Sequence, residues 1–207
     1  MRKLIGVIIV TSFVIGGAFL LIQNNTTRQL PKSLSESNQV APSSSSSEII
    51  DKLKAGGSSL SDPKGVFSIL YPNDYKTDTQ NNGQYIRIYK TGSTQRGQTE
   101  MYDGVIITFE SITLNSQKLE SFVDEHIKSS TVDGTTTVSQ PKRATVVNGY
   151  PGFSYTLHGL GESTYIVLQK DTQSDYAVSI SYAVMDPEKV GYQQEVDATF
   201  STIQLLK

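Results

Sequence analysis

From residue 65 onward the apolar positions recur with two different periods. Phe67, Ile69 and Tyr71 alternate with Val66, Ser68 and Leu70, and Pro72 follows. A period of two that ends at a residue without an N–H predicts a β-strand. Ile86 and Ile88 alternate with Tyr85, Arg87 and Tyr89, and Val105, Ile107 and Phe109 share one face of a third strand. The period then lengthens. Leu119, Phe122, Val123 and Ile127 recur every three to four residues, which predicts an amphipathic helix over Ser116 to Ser129. Asn148-Gly149 separates Ala144 to Val147 from Tyr150 to Leu157. Asn-Gly accommodates the positive φ angles of a type I′ turn, so these two stretches are read as a hairpin. Tyr165 to Gln169 and Tyr176 to Val184 are two further strands, linked by the polar loop Asp171 to Asp175. Asp186 suits the cap and Pro187 the first turn of a last helix, with Tyr192, Val196 and Phe200 on its inner face. Hairpin-linked strands, two separated helices and no βαβ alternation predict an α+β domain over residues 65–207. Its sheet is mostly antiparallel, with helices packed on it.

The first 64 residues carry a different pattern. Leu4 to Ile22 is an uncharged run of 19 residues. As a helix it would be about 28 Å long, close to the hydrocarbon thickness of a bilayer. Arg2 and Lys3 precede it, and a cationic start holds that end in the cytoplasm. Residues 1–22 are therefore read as a single transmembrane helix in the cell membrane, with the C-terminal domain extracytoplasmic. Gly16-Gly17-Ala18 keeps a cleaved signal peptide open as the alternative, although the apolar run continues four residues past Ala18. Residues 23–64 read as a Ser-rich flexible tether, because Ser43 to Ser47 and Gly56 to Ser59 bury too little apolar surface to offset chain entropy. Within it, Ser45 and Glu48 have capping-box spacing, and Ile49, Ile50 and Leu53 share a face. A short helix ending at Gly56 is predicted, and its docking is left open.

Charge and cysteine content narrow the functional classes. The formal net charge is −2, but residues 65–207 hold 11 Lys/Arg against 16 Asp/Glu. An acidic domain repels a phosphate backbone, so nucleic acid is not an expected partner. There is no cysteine. Disulfides, thiolate ligands and a Cys nucleophile are thereby excluded, along with lipid attachment through Cys.

Several of these segments resemble the PsbP family, whose fold is shared with the Mog family. Phe67-Ser68-Ile69-Leu70-Tyr71-Pro72-Asn73-Asp74-Tyr75 is similar to the family's opening strand, with Tyr75 where the family often has Trp. Val105 to Phe109 followed by the Leu119–Ile127 helix resembles its middle. Asn148-Gly149-Tyr150-Pro151-Gly152-Phe153-Ser154-Tyr155 is similar to its central hairpin, and Thr199-Phe200 to its closing Ser/Thr-Phe. The resemblance implies a PsbP/Mog-like α/β/α sandwich in a membrane-anchored bacterial member. It also implies a non-catalytic extrinsic or accessory role. The tether and the anchor depart from plant PsbP, a free lumenal photosystem II subunit, so that specific role is carried only as an alternative for a photosynthetic source.

Chemistry-bearing motifs are sparse. His126 and His158 are the only histidines, nothing in their spacing pairs them, and each reads as a surface or boundary residue. Asp78-Thr79-Gln80-Asn81-Asn82-Gly83 has the oxygen ligands and the glycine of a calcium loop, but Tyr89 stands where the bidentate Glu is needed. It reads better as a polar turn. Asp171 to Asp175 lacks the glycine altogether. Gly159-Leu160-Gly161-Glu162-Ser163 lacks the third glycine and the Lys of phosphate loops and the glycine after a nucleophile elbow, so it reads as a hairpin tip. No catalytic, metal or cofactor residue is assigned. The expected function is a membrane-tethered binding or accessory module contacting another envelope protein. A small-ligand or lipid carrier and a hydrolase of unrecognised type are the alternatives.

Overall fold

A computed structural model describes residues 46–97 and 101–207. The predicted anchor, Leu4 to Ile22, and the tether up to residue 45 lie outside the described residues. Among the described residues no helix is long and apolar enough to cross a membrane.

The chain runs α1 (Ser46–Gly56), β1 (Ser58–Ser61), β2 (Phe67–Tyr71), β3 (Lys76–Gln80), β4 (Tyr85–Thr91), β5 (Gly104–Thr113), α2 (Leu119–Thr131), β6 (Thr137–Val147), β7 (Tyr150–His158), β8 (Glu162–Gln169), β9 (Tyr176–Met185), α3 (Tyr192–Phe200) and β10 (Gln204–Leu205). Seven strands form one sheet in the order β3-β4-β5-β9-β8-β7-β6, and β1-β2-β10 form a second. Every paired neighbour is antiparallel. The α+β class with helices on a mostly antiparallel sheet is what the sequence pattern predicts.

Alternation along the strands separates two cores. Ile86, Ile88, Ile107, Phe109, Ile166, Leu168 and Ile180 point from one face of the large sheet into a core completed by Phe67, Ile69, Val196 and Phe200. The small sheet and α3 cover that face. Tyr155, Leu157, Val167 and Ala177 point from the other face and meet Leu119 and Val123 of α2. The anticipated inner face of the last helix is buried, with Tyr192, Val196 and Phe200 at 4%, 0% and 5% exposure. Asn148 and Gly149 take φ angles of 48° and 84°, and Val147 pairs with Tyr150 across the turn, as Asn-Gly favours.

Three expectations are corrected. The short helix predicted to end at Gly56 is present as α1, whereas Gly57 to Lys64, read as flexible tether, is folded as well. Leu53 of α1 is 4% exposed, and β1 pairs with β2 in regular register. The turn between them, Asp62-Pro63-Lys64-Gly65, closes because Asp62 accepts the Val66 amide at 3.0 Å through its side chain and the Gly65 amide at 2.8 Å through its carbonyl. Second, α2 begins at Leu119 rather than Ser116, because Asn115 and Ser116 sit at φ 52° and 66°, in left-handed backbone that a helix excludes. Third, α3 begins at Tyr192, five residues beyond Pro187. Asp186 does gather amides, from Val190 (2.8 Å), Gly191 (2.9 Å) and Tyr192 (3.3 Å). It does so from outside the helix, across a loop in which Lys189 and Gly191 have positive φ.

Candidate functional site

Helix α2 packs over β6, β7 and β8, and the same face of the large sheet continues beyond it across β9, β5, β4 and β3. The register defines one row of that face. Asp78 is opposite Arg87, Arg87 opposite Thr108, Thr108 opposite Ser181, Ser181 opposite Tyr165, and Tyr165 opposite Tyr155. Flanking rows add Tyr89, Ile106 and Ala183 on one side and Tyr85, Glu110 and Ser179 on the other. Each of these flanking side chains, like Arg87, Thr108, Ser181 and Tyr165, is half-buried, whereas their neighbours on the opposite face, Ile86, Ile88, Ile107 and Ile180, are at most 3% exposed. The result is a shallow groove. Its floor is Ile106, Thr108 and Glu110 of β5 with Ser179, Ser181 and Ala183 of β9. Its walls are the Tyr85, Arg87, Tyr89 side chains of β4 and the aromatic group under α2. Arg87 and Tyr165 are three strand spacings apart, or about 14 Å.

Both walls are held in place. Arg87 donates through Nε to both Asp78 oxygens at 3.1 and 3.2 Å, and its Nη2 is also paired with Asp78. Its guanidinium lies 5.5 Å from the Tyr89 ring centroid. Gln84 donates to Glu110 at 2.8 Å and to the Tyr85 hydroxyl at 3.3 Å. On the other wall, Tyr155 and Tyr165 stack at 5.1 Å with 4° between planes, and the His126 ring leans on Tyr165 at 5.3 Å. The Tyr155 hydroxyl meets His126 Nδ1 at 2.7 Å. Burial pushes the His126 pKa below that of a free imidazole. Burial also raises Tyr155, helped by the neighbouring Tyr165, and raises Tyr165. At neutral pH all three rings are uncharged, and with the imidazole proton on Nε2 the tyrosine hydroxyl donates to Nδ1.

A second polar group lies on the other face, at the end of β4. Lys90 Nζ contacts Glu195 at 3.0 and 3.1 Å and Asp74 at 2.8 Å, between the Tyr75 and Tyr192 rings. Tyr75 donates to Glu195 at 3.0 Å. Burial alone would lower the Lys90 pKa, but its hydrogen bonds to Asp74 and Glu195 outweigh that and raise it. Every carboxylate there is engaged by the ammonium, so the group ties α3 to β4 rather than presenting a free acid or base.

The other sequence candidates are placed apart from one another. His158 is exposed at the end of β7. Asp78 is committed to Arg87, and Asn81 to Gly83 form a single 3-10 turn. Asp171 accepts the amides of Gln173 (2.8 Å) and Ser174 (3.0 Å), a side-chain turn that uses its carboxylate locally. Gly159 to Gly161 close the β7–β8 tip, with the Gly159 amide on the Gly161 carbonyl at 3.0 Å and Leu160 99% exposed. Ser163 is opposite Leu157 within the ladder. Among the described residues no group of three or more His, Asp or Glu is placed to hold a metal ion. Two clefts, of about 310 and 460 Å³, lie elsewhere. One is between α1 and α3, lined by Ile49, Leu53, Val190 and Glu195. The other lies over the small sheet, lined by Ser59, Ser61, Ser68 and Gln204, and neither is lined by Tyr or Phe.

His126 is half-buried, a boundary residue as its helical position implies, and what sequence reasoning missed is the group it joins. Its aromatic partners lie on β7 and β8, about 30 to 40 residues away, and no local pattern announces them. The β4 wall was visible as the polar side of the Tyr85–Tyr89 alternation.

No family model matches this chain, and no curated protein matches it. Solved structures do. The Ran-binding protein Mog1p of Saccharomyces cerevisiae is similar at 12% identity and a TM-score of 0.47, over 73% of this chain and 96% of that one. Cyanobacterial PsbP (CyanoP) from Synechocystis sp. PCC 6803 is similar at 11% identity and a TM-score of 0.46, over 83% of this chain and 98% of that one.

Proposed function

We propose that this chain is a non-catalytic accessory module, tethered to the cell membrane and displayed outside the cytoplasm, that binds another envelope protein through the open half of its large sheet. The observation that carries the reading is the groove itself. Tyr and Arg dominate binding energy at protein interfaces, and here Tyr85, Arg87, Tyr89 and Tyr165 flank a floor whose central row, Thr108 and Ser181, is small. Arg87 is already held by Asp78 and stacked on Tyr89, so little side-chain freedom remains to be lost on binding. The tethering rests on the uncharged Leu4–Ile22 run and its cationic start.

Two measurements test it. In membrane fractionation the full chain stays with the membrane after an alkaline wash; a shortened chain in the soluble extracytoplasmic fraction would mean that Leu4 to Ile22 is a signal peptide. Thr108→Arg and Ser181→Arg fill the groove floor from half-exposed positions without entering either core. They should abolish capture of the partner from solubilised envelope, while Leu160→Arg, at the far hairpin tip, leaves capture intact. Equal capture by all three variants would remove the groove from the interface.

A further inference from the structure

Among the described residues the large sheet ends in two edge strands, and only one of them carries bulges or a proline. β6 breaks register twice, between Val138 and Gln140 and between Gln140 and Arg143, and carries Pro141. Bulges and proline are among the devices that stop an edge strand from pairing with another chain. β3 has neither. Its five residues, Lys76-Thr77-Asp78-Thr79-Gln80, pair with β4 in unbroken register, and every side chain but Asp78 is exposed. Its outward N–H and C=O groups can be satisfied by a further strand only if that strand also matches the charges of Lys76 and Asp78, which otherwise keep strands away.

We infer that the β3 edge is a self-association surface, taking the β3 strand of a second copy of this chain, antiparallel and centred on Thr77. Charge selects both the occupant and the register. Lys76 and Asp78 lie on the same face, opposite Tyr89 and Arg87 of β4. Lys76 makes no ion pair among the described residues, while Asp78 already holds Arg87. Centring on Thr77 sets Lys76 of each copy opposite Asp78 of the other, so one contact forms two opposite-charge cross-strand pairs. Centring on Asp78 would set the two carboxylates against each other. The two-fold axis that relates such strands is perpendicular to the sheet, so the association is closed and stops at two copies. It does not require the binding role proposed for the groove, although Asp78, which would face Lys76 of the other copy, also holds Arg87 in the groove's β4 wall.

The absence of cysteine makes the test direct. Thr77 would face its own copy at the Cα separation of about 4.5–5.5 Å found in antiparallel pairs, within the range of about 4.4–6.8 Å that a disulfide spans. Full-length Thr77→Cys, reconstituted in phospholipid vesicles and mildly oxidised, should cross-link to a dimer. Gln140→Cys, also exposed, on the bulged β6 edge, serves as the control for chance encounters in the membrane. Adding Lys76→Glu to Thr77→Cys turns both pairs repulsive and should lower the cross-linking by about tenfold. Because Lys76 and Thr77 are exposed, unchanged circular dichroism is expected for each variant and is checked first. Equal cross-linking of Thr77→Cys and Gln140→Cys, or cross-linking of Thr77→Cys indifferent to Lys76→Glu, would overturn the inference.

Discussion

The Tyr155 hydroxyl and His126 Nδ1, 2.7 Å apart, join α2 to β7 by a hydrogen bond at the margin of the second core. Tyr155 is 2% exposed, so its hydroxyl has little access to water once that partner is gone. His126→Ala should therefore cost about 1–3 kcal/mol, the penalty of a buried polar group left unsatisfied. His158→Ala, at an exposed strand end, should stay within about 0.5 kcal/mol. Urea unfolding of the two variants distinguishes them, and equal effects would show that the Tyr155 bond contributes nothing net.

The same imidazole makes stability depend on pH. Burial lowers the folded-state pKa of His126 below the value of about 6.5 expected in the unfolded chain. The unfolded chain therefore takes up the proton first as pH falls. This contribution to stability is complete above about pH 6.5, declines below it, and levels off once pH is under the folded pKa. His126→Gln removes the titration. The difference in unfolding free energy between wild type and His126→Gln should shrink from pH 7.5 to pH 5. A difference that is flat over that interval would contradict the burial of the ring.

Phe200 ends α3 at 5% exposure and meets the Tyr182 ring edge-on, with centroids 5.3 Å apart. Truncating it opens a void between α3 and the large sheet, and Phe200→Ala should cost about 3–5 kcal/mol. Thermal unfolding measures this directly. A near-neutral result would mean that α3 relaxes into the space.

Helix α1 presents a more local case. Leu53 fixes it against the domain, and the Gly57 amide on the Leu53 carbonyl at 2.8 Å closes its end. Leu53→Ala should release α1 without unfolding the rest, since few elements depend on it. Hydrogen exchange should quicken in residues 46–56 and stay slow in β5, β8 and β9. Acceleration throughout would make α1 part of the cooperative core.

What the sequence announced, and what it did not, follows from where the forces act. β2, β4 and β5 were legible because each buries one face, and burial writes a period of two into Phe67–Tyr71 or Ile86–Ile88. The β6–β7 hairpin was legible from Asn148-Gly149 instead, since β6 is almost wholly exposed. β1 (Ser58-Ser59-Leu60-Ser61) and β3 (Lys76 to Gln80) were not, because their strand geometry comes from pairing with β2 and β4 rather than from their own composition. Helix starts were displaced for a similar reason. Positive φ at Asn115, Ser116, Lys189 and Gly191 is a tertiary outcome that capping patterns do not encode. The β4 wall of the groove was readable as alternation, while its floor, Thr108 beside Ser181, exists only through the β5–β9 pairing of residues more than 70 apart.

Two glycines of the β6–β7 hairpin test which kind of constraint holds it. Gly149 stands at φ 84° in the turn, and a Cβ there would meet nothing within 4 Å. Gly149→Ala therefore carries only the backbone strain of left-handed geometry, about 1–2 kcal/mol. Gly152 is buried in β7, and a Cβ there would sit 2.1 Å from the Val167 carbonyl oxygen and 3.0 Å from the Val167 carbonyl carbon. That obstacle is backbone of the neighbouring strand and cannot rotate away. Gly152→Ala must push β7 from β8 beneath the Tyr155–Tyr165 stack, at a cost toward or beyond the top of the usual overpacking range of about 1–3 kcal/mol. The damage should also be local to that ladder. Amide exchange at Ile166 to Leu168 should quicken in Gly152→Ala and not in Gly149→Ala, even where the two are matched in overall stability by added urea. If Gly149→Ala proved the more damaging, the turn rather than the close approach of β7 to β8 would be what fixes this hairpin.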